Sequence, residues 1–440
     1  MRTALWVILL AAMLATRRQA AAASRTCLWQ AAQQLRGGAS TTATESQAQQ
    51  QGQATQRRRP LRQRSLTRSF SSGPATNATT IGVAFDIDGV IKQGKKTCAE
   101  ALWALQELDK RGVPYVFLTN GGGGRTEEEY ALELTKKLQG PLEPCGCSGH
   151  KREVLPGAPA PEISTSQMVL AYSKFPELEE LKDHPVLVVG EPLDKVRHVA
   201  KAMGFEKAVH LMDYLARHPE MDPFGTDKRK GPQDPKDWET FAGVLVVADP
   251  GDQFWPALQL VTDVLLSPNP QAAELAPEQV PIYFSNNDLL WKEAFAHSRF
   301  GQGAYVATLR LLYEKRLAAL GLSEEEIAAR TSGRWNIYGK PEVPQQMLAE
   351  KRLMITAAAK GDAVPAHFYM VGDNPRSDMQ GAFNARGAGR PWDGVLVRTG
   401  VYQDGDDTAH ASVVVDSVAE AVEWILEHGI NEGHIPAEKS

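Results

Sequence analysis

Short apolar runs alternate with amphipathic stretches along residues 81–440. Continuous apolar runs predict strands that are buried on both faces, whereas apolar residues repeating every three or four positions predict helices. The predicted strands are residues 81–85, 113–118, 186–189, 243–248, 280–284, 368–371 and 395–397. The predicted helices are residues 98–111, 126–139, 304–320, 344–360 and 418–428. Alternation of this kind predicts an α/β fold built on a mostly parallel sheet.

Charge is distributed unevenly along the chain. The 440 residues carry 53 acidic and 48 basic side chains, and residues 1–80 contain eleven arginines but a single acid, Glu45. The remainder is therefore acidic, which argues against a nucleic-acid partner because such surfaces need basic patches. An anionic small molecule is still compatible with this balance, since one lysine and a metal ion suffice locally.

Residues 1–75 have the composition of a disordered targeting presequence, rich in Arg, Ser, Ala and Gln. This composition predicts a mitochondrial location. The apolar run at residues 4–15 resembles the core of a secretory signal, so the endoplasmic reticulum or a plastid is the alternative. That run is shorter than the ~20 residues that span a bilayer, and we predict no transmembrane segment.

Cysteine usage gives little guidance. The four cysteines are too few and too irregular for a disulfide framework in a chain of this length. Cys145 and Cys147, with His150 nearby, could form half of a zinc site, but no second ligand pair follows at a useful spacing. We therefore expect a reduced, exposed loop here.

Two carboxylates, Asp86 and Asp88, follow the first predicted strand in the stretch VAFDIDGVIKQG. Burial of a carboxylate costs several kcal/mol unless a cation or hydrogen bonds compensate. Residues i and i+2 of a strand project to the same side, so one acid could act as a nucleophile and the other as a general acid and base. The alternative is an ordinary turn at the strand end.

Three further polar stretches end or follow predicted elements. Thr119 and Asn120 precede four glycines, which allow the backbone to approach an anion closely. Lys340 lies between Gly and Pro just before a helix. Asp373 and Asn374 end a strand, with Asp378 five residues after the first acid. Together these residues predict a phosphoryl-transfer site in which Mg²⁺ and a lysine hold the carboxylates.

This set of motifs strongly resembles the haloacid dehalogenase superfamily of hydrolases. The motifs are Asp86-Ile-Asp88-Gly-Val, Leu118-Thr119-Asn120, Gly339-Lys340-Pro341, and Gly372-Asp373-Asn374 with Asp378. The opening DxDGVxxxG and the late Thr399-Gly-Val-Tyr402 are similar to subfamily IIA. Within it, the LTNGGG run resembles the mitochondrial cat-eye-syndrome-critical-region type.

The resemblance implies a role for each site residue. Asp86 would attack phosphorus and bind Mg²⁺, and Asp88 would be the general acid and base with its backbone carbonyl on the metal. Thr119, Asn120 and Lys340 would bind the phosphoryl group. Asp373 would complete the metal shell, with Asp378 and Asn374 supporting it.

The resemblance also implies a Rossmann-like parallel core with an inserted α/β cap of the C2 type. We expect residues 76–124 and 336–440 to form the core and residues 125–335 the cap. Asn286 and Asp288 in the cap resemble the family's NPD stretch, although Asn287 replaces the usual proline. They are candidates for contact with substrate.

These implications predict a Mg²⁺-dependent phosphatase that forms an aspartyl-phosphate while hydrolysing a small phosphorylated metabolite. The family association adds a link to glycerophospholipid metabolism, and its capped members suggest a homodimer. The main alternative is a catalytically quiet protein that keeps the fold for binding or scaffolding. A phosphomutase is a third reading.

Overall fold

The computed structural model describes residues 81–145, 159–223, 225, 240–272, 274–291, 295 and 297–432. The predicted presequence of residues 1–75 lies outside the described residues, as do Cys147 and His150. Among the helices that are described, none combines the length and the hydropathy needed to cross a bilayer.

Sixteen strands are found within the described residues. They are β1 (Ile81–Phe85), β2 (Lys92–Gln93), β3 (Lys96–Cys98), β4 (Tyr115–Leu118), β5 (Leu142–Glu143), β6 (Met168–Val169), β7 (Val186–Val189), β8 (Ala208–His210), β9 (Gly243–Val246), β10 (Ile282–Phe284), β11 (Leu290–Trp291), β12 (Arg299–Phe300), β13 (Trp335–Ile337), β14 (His367–Gly372), β15 (Trp392–Val397) and β16 (Val413–Val415).

Eleven α-helices are found in the same part of the chain. They are α1 (Ala99–Lys110), α2 (Glu127–Leu138), α3 (Glu179–Lys182), α4 (Leu193–Ala202), α5 (Leu211–Arg217), α6 (Phe254–Leu266), α7 (Gln302–Ala319), α8 (Glu324–Thr331), α9 (Val343–Lys360), α10 (Gln380–Gly387) and α11 (Val418–Asn431).

Six strands form the first sheet, in the order β16-β15-β14-β1-β4-β6, and every neighbouring pair is parallel. β1 lies in the middle because all five of its residues are apolar and buried. The chain leaves β1 on one side towards β4 and returns on the other side to β14. A cleft therefore opens beyond the carboxyl ends of these three strands, where open parallel sheets bind ligands.

The two faces of this sheet pack against different helices, as strand alternation requires. Val83 and Phe85 of β1 join the apolar cluster that contains residues of α1 and α11. Ala84, between them, joins the opposite cluster, which contains residues of α9 and α10. Both faces of β1 are thus covered, which explains why its sequence is uniformly apolar rather than alternating.

A second sheet has the order β13-β10-β9-β7-β8, and its pairs are also parallel. Its apolar cluster includes residues of α6 and α7. We call this sheet with its helices the cap. The two parallel sheets confirm the predicted α/β class with a Rossmann-like parallel core.

The expected boundary between core and cap stays a prediction. β6 lies within the range 125–335 that was expected to be cap, yet it pairs with β4 of the first sheet. The helix before it, α2, begins at a capping box in which Thr126 and Glu129 bond each other's backbone N–H groups. We therefore propose that the cap starts close to α3 and ends at β13.

A disulfide joins Cys98, at the end of β3, to Cys145, just after β5. The expectation of a reduced cysteine at position 145 is therefore wrong. The two residues are 47 positions apart in sequence, and they are brought together because β3 and β5 pair in a small three-stranded sheet with β2. No local spacing pattern could have indicated this pair.

Candidate active site

The carboxyl ends of three neighbouring strands bring polar side chains together. Asp86 follows β1, Thr119 follows β4 and Asp373 follows β14. The parallel register continues past β1, because the N–H of Asp86 donates to the carbonyl of Val371 at 2.8 Å. All three polar side chains are buried. The structure therefore brings these three strand-end residues together, and their roles stay predictions.

Lys340 contributes the cation of this group. Its Nζ lies 2.8 Å from Oδ1 of Asp86 and 2.6 Å from Oδ1 of Asp378, and its side chain is buried. Burial alone would lower the pKa of Lys340, but the charges of Asp378 and Asp86 outweigh it and raise this pKa above its usual value. The lysine is therefore held in its charged form.

Asn120 fixes the backbone at Lys340. The Lys340 N–H donates to Oδ1 of Asn120 at 2.7 Å, and Nδ2 of Asn120 donates to the Lys340 carbonyl at 2.9 Å. Gly339 allows this close approach, because its φ is +79° and a Cβ there would lie 2.7 Å from Oδ1 of Asn120. These contacts give Asn120 a positioning role that the sequence did not suggest, and its predicted phosphate contact stays a prediction.

Asp86, Asp373 and Asp378 form a compact acidic cluster. A carboxylate oxygen from each lies within 4.8 Å of the others, and all three residues are buried. The backbone N–H of Val401 donates to Oδ2 of Asp373 at 2.6 Å. Oδ2 of Asp378 accepts from the N–H of Asn374 at 3.0 Å, and the supporting role of these two residues stays a prediction.

The cluster carries more negative than positive charge, since one lysine faces three acids. Burial raises the pKa of Asp86 to about 6, although Lys340 opposes the shift. Burial followed by repulsion from Asp86 raises the pKa of Asp373 well above its ordinary value, and burial also raises that of Asp378. A buried all-oxygen donor set with excess negative charge fits a divalent cation such as Mg²⁺.

Asp88 differs from Asp86 in its surroundings. Its side chain is 32% exposed, and its Oδ1 pairs with Nζ of Lys92. The Asp88 carboxylate therefore points to the cleft rather than into the acidic cluster. Lys92 was not predicted, because a lysine in the polar turn IKQGKK is indistinguishable in sequence from a solvated side chain.

The cap residues Asn286 and Asp288 also reach the site. Nδ2 of Asn286 donates to the carbonyl of Asn120 at 3.0 Å, and Oδ2 of Asp288 accepts from Nδ2 of Asn120 at 2.9 Å. Gln302, at the start of α7, accepts from the Asn286 N–H through its Oε1 at 3.0 Å. Burial raises the pKa of Asp288 to about 6. Both candidates thus contact the core, and their predicted contact with substrate stays a prediction.

A cleft of about 310 Å³ lies between the first sheet and the cap. Its lining combines the charged groups Asp86, Asp88, Lys92, Lys340 and Asp373 with the apolar side chains Leu290 and Trp291 of the cap. Carboxylates and two lysine side chains therefore lie together at the charged end of the cleft, and apolar side chains line the other end.

Comparisons with known proteins found family models and relatives that match this chain. A family model described as haloacid dehalogenase-like hydrolase matches residues 83–206, and a second, described as HAD-hydrolase-like, matches residues 337–421. A mitochondrial hydrolase of Saccharomyces cerevisiae is 33% identical over 384 residues, which cover 80% of this chain and 97% of the relative.

A second relative is a fusion protein of Schizosaccharomyces pombe, named cardiolipin synthase (CMP-forming) / mitochondrial hydrolase. It is 30% identical over 388 residues, covering 86% of this chain and 58% of the fusion protein. This chain thus spans less than two thirds of that relative's length.

Two solved structures are also similar. NagD from E. coli K-12 aligns with a TM-score of 0.43 at 18% identity, covering 78% of this chain and 98% of NagD. A p-nitrophenyl phosphatase from Archaeoglobus fulgidus aligns with a TM-score of 0.45 at 15% identity, covering 79% of this chain and 99% of that protein.

Proposed function

Because this chain belongs to the family of haloacid dehalogenase-like hydrolases, we propose that it is a Mg²⁺-dependent phosphatase of small phosphorylated molecules. One observation carries the proposal: the buried carboxylate of Asp86 lies at the end of β1, within 2.8 Å of Nζ of Lys340 and inside a cluster of three acids. This arrangement combines a nucleophile with the positive charge that a phosphoryl group needs.

Asp86 is the nucleophile of the proposed reaction. Its pKa of about 6 leaves it ionised at neutral pH, and Lys340 holds its Oδ1. A carboxylate oxygen of Asp86 attacks phosphorus, and the bond from phosphorus to the leaving oxygen breaks. Asp88, as the proposed general acid, gives a proton to that oxygen, and an aspartyl-phosphate remains on Asp86.

The second half of the reaction restores the enzyme. The Asp88 carboxylate takes a proton from a water molecule, whose oxygen attacks phosphorus. The bond from phosphorus to Asp86 then breaks, phosphate leaves, and Asp88 is protonated again. Lys340 and the hydroxyl of Thr119 bind the phosphoryl oxygens throughout, because both residues line the same cleft as Asp86.

Asp86, Asp373 and the backbone carbonyl of Asp88 are the proposed holders of Mg²⁺, with Asp378 and Asn374 supporting them. When bound, the ion would neutralise charge on the carboxylates and on the phosphoryl oxygens. The excess of buried negative charge in the acidic cluster supports this assignment.

A mitochondrial setting is proposed from two observations. The yeast relative carries the name mitochondrial hydrolase, and residues 1–80 combine eleven arginines with one acid. A link to glycerophospholipid metabolism is supported by the fission-yeast relative, whose single chain is also named a cardiolipin synthase. The homodimer implied by the family resemblance is likewise a proposal.

The experiment measures phosphate release by the full chain from a panel of phosphorylated metabolites and p-nitrophenyl phosphate, with and without Mg²⁺. Asp86→Asn is the test variant, and Asp404→Asn, which changes an exposed acid, is the matched control. We expect metal-dependent release that Asp86→Asn abolishes and Asp404→Asn preserves. A folded protein that binds Mg²⁺ but releases no phosphate from any compound would instead support the binding or scaffold alternative.

A further inference from the structure

A short hairpin at the mouth of the cleft exposes large apolar side chains. β11 and β12 pair with each other in antiparallel register, Leu290 opposite Phe300 and Trp291 opposite Arg299, and neither strand pairs with a further described strand. The exposed fractions are 46% for Leu289, 36% for Leu290, 41% for Trp291 and 71% for Phe300. We call these four residues the hairpin patch.

The hairpin is attached firmly at its base. The Gly301 N–H donates to the carbonyl of Leu289 at 3.0 Å, and the Gly303 N–H donates to that of Asp288 at 2.9 Å. Nε1 of Trp291 donates to the carbonyl of Phe300 at 3.2 Å. The patch is therefore held in place relative to Asp288 and the cleft. Contiguous apolar side chains presented in this way mark an interaction surface, whereas single exposed ones are ordinary.

The position of the patch restricts what can cover it. Leu290 and Trp291 also line the catalytic cleft, so the apolar surface is continuous from the cleft to the outer face of Phe300. A protein partner or a second copy of this chain seated on the patch would close the cleft mouth. A lipid bilayer would cover the same surface and also deliver its own phosphorylated molecules to the cleft.

The hairpin patch and its surroundings include aromatic, leucine and arginine side chains, which are residue types found at membrane interfaces. Tryptophan, phenylalanine and leucine insert at the boundary between headgroups and acyl chains, and neighbouring arginines attract anionic headgroups. Arg299 is exposed on β12 beside Phe300, and the exposed Arg376 lines a groove of about 430 Å³ together with Leu289 and Leu290. Asp406 shares that groove, and its Oδ2 accepts from the N–H of Gln403 at 2.9 Å.

We propose that the hairpin patch inserts into the surface of an anionic phospholipid bilayer and that the cleft hydrolyses lipid phosphomonoesters presented there. The substrate part of this inference rests on the proposed phosphatase function, whereas the docking part does not. The phosphate would bind at the charged end of the cleft, and the glycerol and acyl portions would extend out of the cleft along Leu290 and Trp291.

The docking test is flotation of the full chain with vesicles of phosphatidylcholine and phosphatidylglycerol. Phe300→Ser is the test variant, and Leu311→Ser, which changes a 54% exposed leucine on α7, is the matched control. We expect at least a tenfold loss of vesicle partitioning for Phe300→Ser and none for Leu311→Ser, because one large apolar side chain is removed from the inserted surface. Residues 1–80 are common to all variants and cannot produce this difference.

Two enzymatic measurements separate the parts of the proposal. Phosphate release from p-nitrophenyl phosphate, which is water-soluble, should be equal in wild type and Phe300→Ser. Release from phosphatidic acid and lysophosphatidic acid in vesicles should fall at least fivefold in Phe300→Ser. Hydrolysis of p-nitrophenyl phosphate without hydrolysis of either lipid by the wild type would overturn the substrate assignment.

Vesicle partitioning that is equal in wild type and both variants, or absent in wild type, would overturn the docking assignment. Sedimentation velocity measures the oligomeric state of the wild type and the Phe300→Ser variant. If Phe300→Ser converts a dimer into a monomer without changing vesicle partitioning, the patch is an interface between two copies and the proposal is wrong. Flotation needs no turnover, so a failure of the phosphatase function is distinguishable from a failure of docking.

Discussion

Nδ2 of Asn120 lies 2.9 Å from Oδ2 of Asp288, although the two residues are 168 positions apart in sequence. The same nitrogen donates to the carbonyl of Lys340, and the Asn120 carbonyl accepts from Asn286. Asn120, which follows β4 and Thr119, therefore contacts both Lys340 of the active site and the cap residues Asn286 and Asp288. Movement of the cap away from the core would break the contact with Asp288 and leave Asn120 with Lys340 alone.

The Asp288 carboxyl should make stability depend on pH. Burial raises its pKa from 3.8 to about 6 in the folded protein. The contribution of the protonated carboxyl to the free energy of unfolding is therefore fully present below about pH 4 and is lost as pH rises through 6. Asp288→Asn removes the charge of this half-buried carboxyl, while its side-chain oxygen can still accept from Asn120. We expect the variant to gain about 2 kcal/mol of unfolding free energy relative to wild type between pH 4 and pH 7.5.

Urea unfolding at the two pH values measures this difference, with Asp404→Asn as the exposed control. A difference between wild type and Asp288→Asn that is the same at both pH values would show that the carboxyl titrates normally in the folded protein.

Gly400 should be essential for the geometry of Asp373. Its φ is +108°, and a Cβ there would lie 1.9 Å from Oδ2 of Asp373. Gly405 has a φ of +97°, but nothing lies within 4 Å of its Cβ position. Alanine at either site carries the backbone strain of about 1 kcal/mol or more, whereas only Gly400→Ala displaces the carboxylate.

We therefore expect Gly400→Ala to lower Mg²⁺ affinity and phosphate release at least a hundredfold, and Gly405→Ala to keep both near wild type. Isothermal titration with Mg²⁺ and the phosphate-release assay measure the two quantities. Equal losses in the two variants would mean that strain alone, rather than displacement of Asp373, causes the effect.

The strand-end residues were predictable from sequence because each depends on local order. Asp86, Thr119 and Asp373 directly follow apolar runs, and parallel strands place such positions at one edge of the sheet. β6 was not predictable, since two residues are too short to show periodicity. Its pairing with β4 is a tertiary contact that no local pattern in the sequence indicates.

Lys92 should act on the proposed general acid. Its Nζ pairs with Oδ1 of Asp88, and its side chain is only 13% exposed. Lys92→Met removes this partner and leaves the Asp88 carboxylate free to rotate away from the leaving group. We expect kcat to fall at least tenfold with Mg²⁺ affinity unchanged, because the acidic cluster does not include Lys92.

Lys95→Met, at an exposed position three residues later, is the matched control for Lys92→Met and should leave kcat unchanged. Lys92→Arg should restore part of the rate because it keeps the charge. A wild-type rate in Lys92→Met would show that the ion pair has no part in turnover.

The disulfide between Cys98 and Cys145 should stabilise the fold under oxidising conditions. It links Cys98, at the end of β3, to Cys145, just after β5, across a sequence separation of 47 residues. Cross-links of this span restrict the unfolded chain and typically contribute about 2–4 kcal/mol. We expect Cys145→Ser to lose this amount of unfolding free energy in the absence of reductant.

Dithiothreitol should lower the unfolding free energy of the wild type to the level of the variant. It should leave that of Cys145→Ser unchanged, because the variant has no such bond to reduce. Urea unfolding with and without dithiothreitol gives all four values, and a wild type that is insensitive to the reductant would contradict the stabilising role.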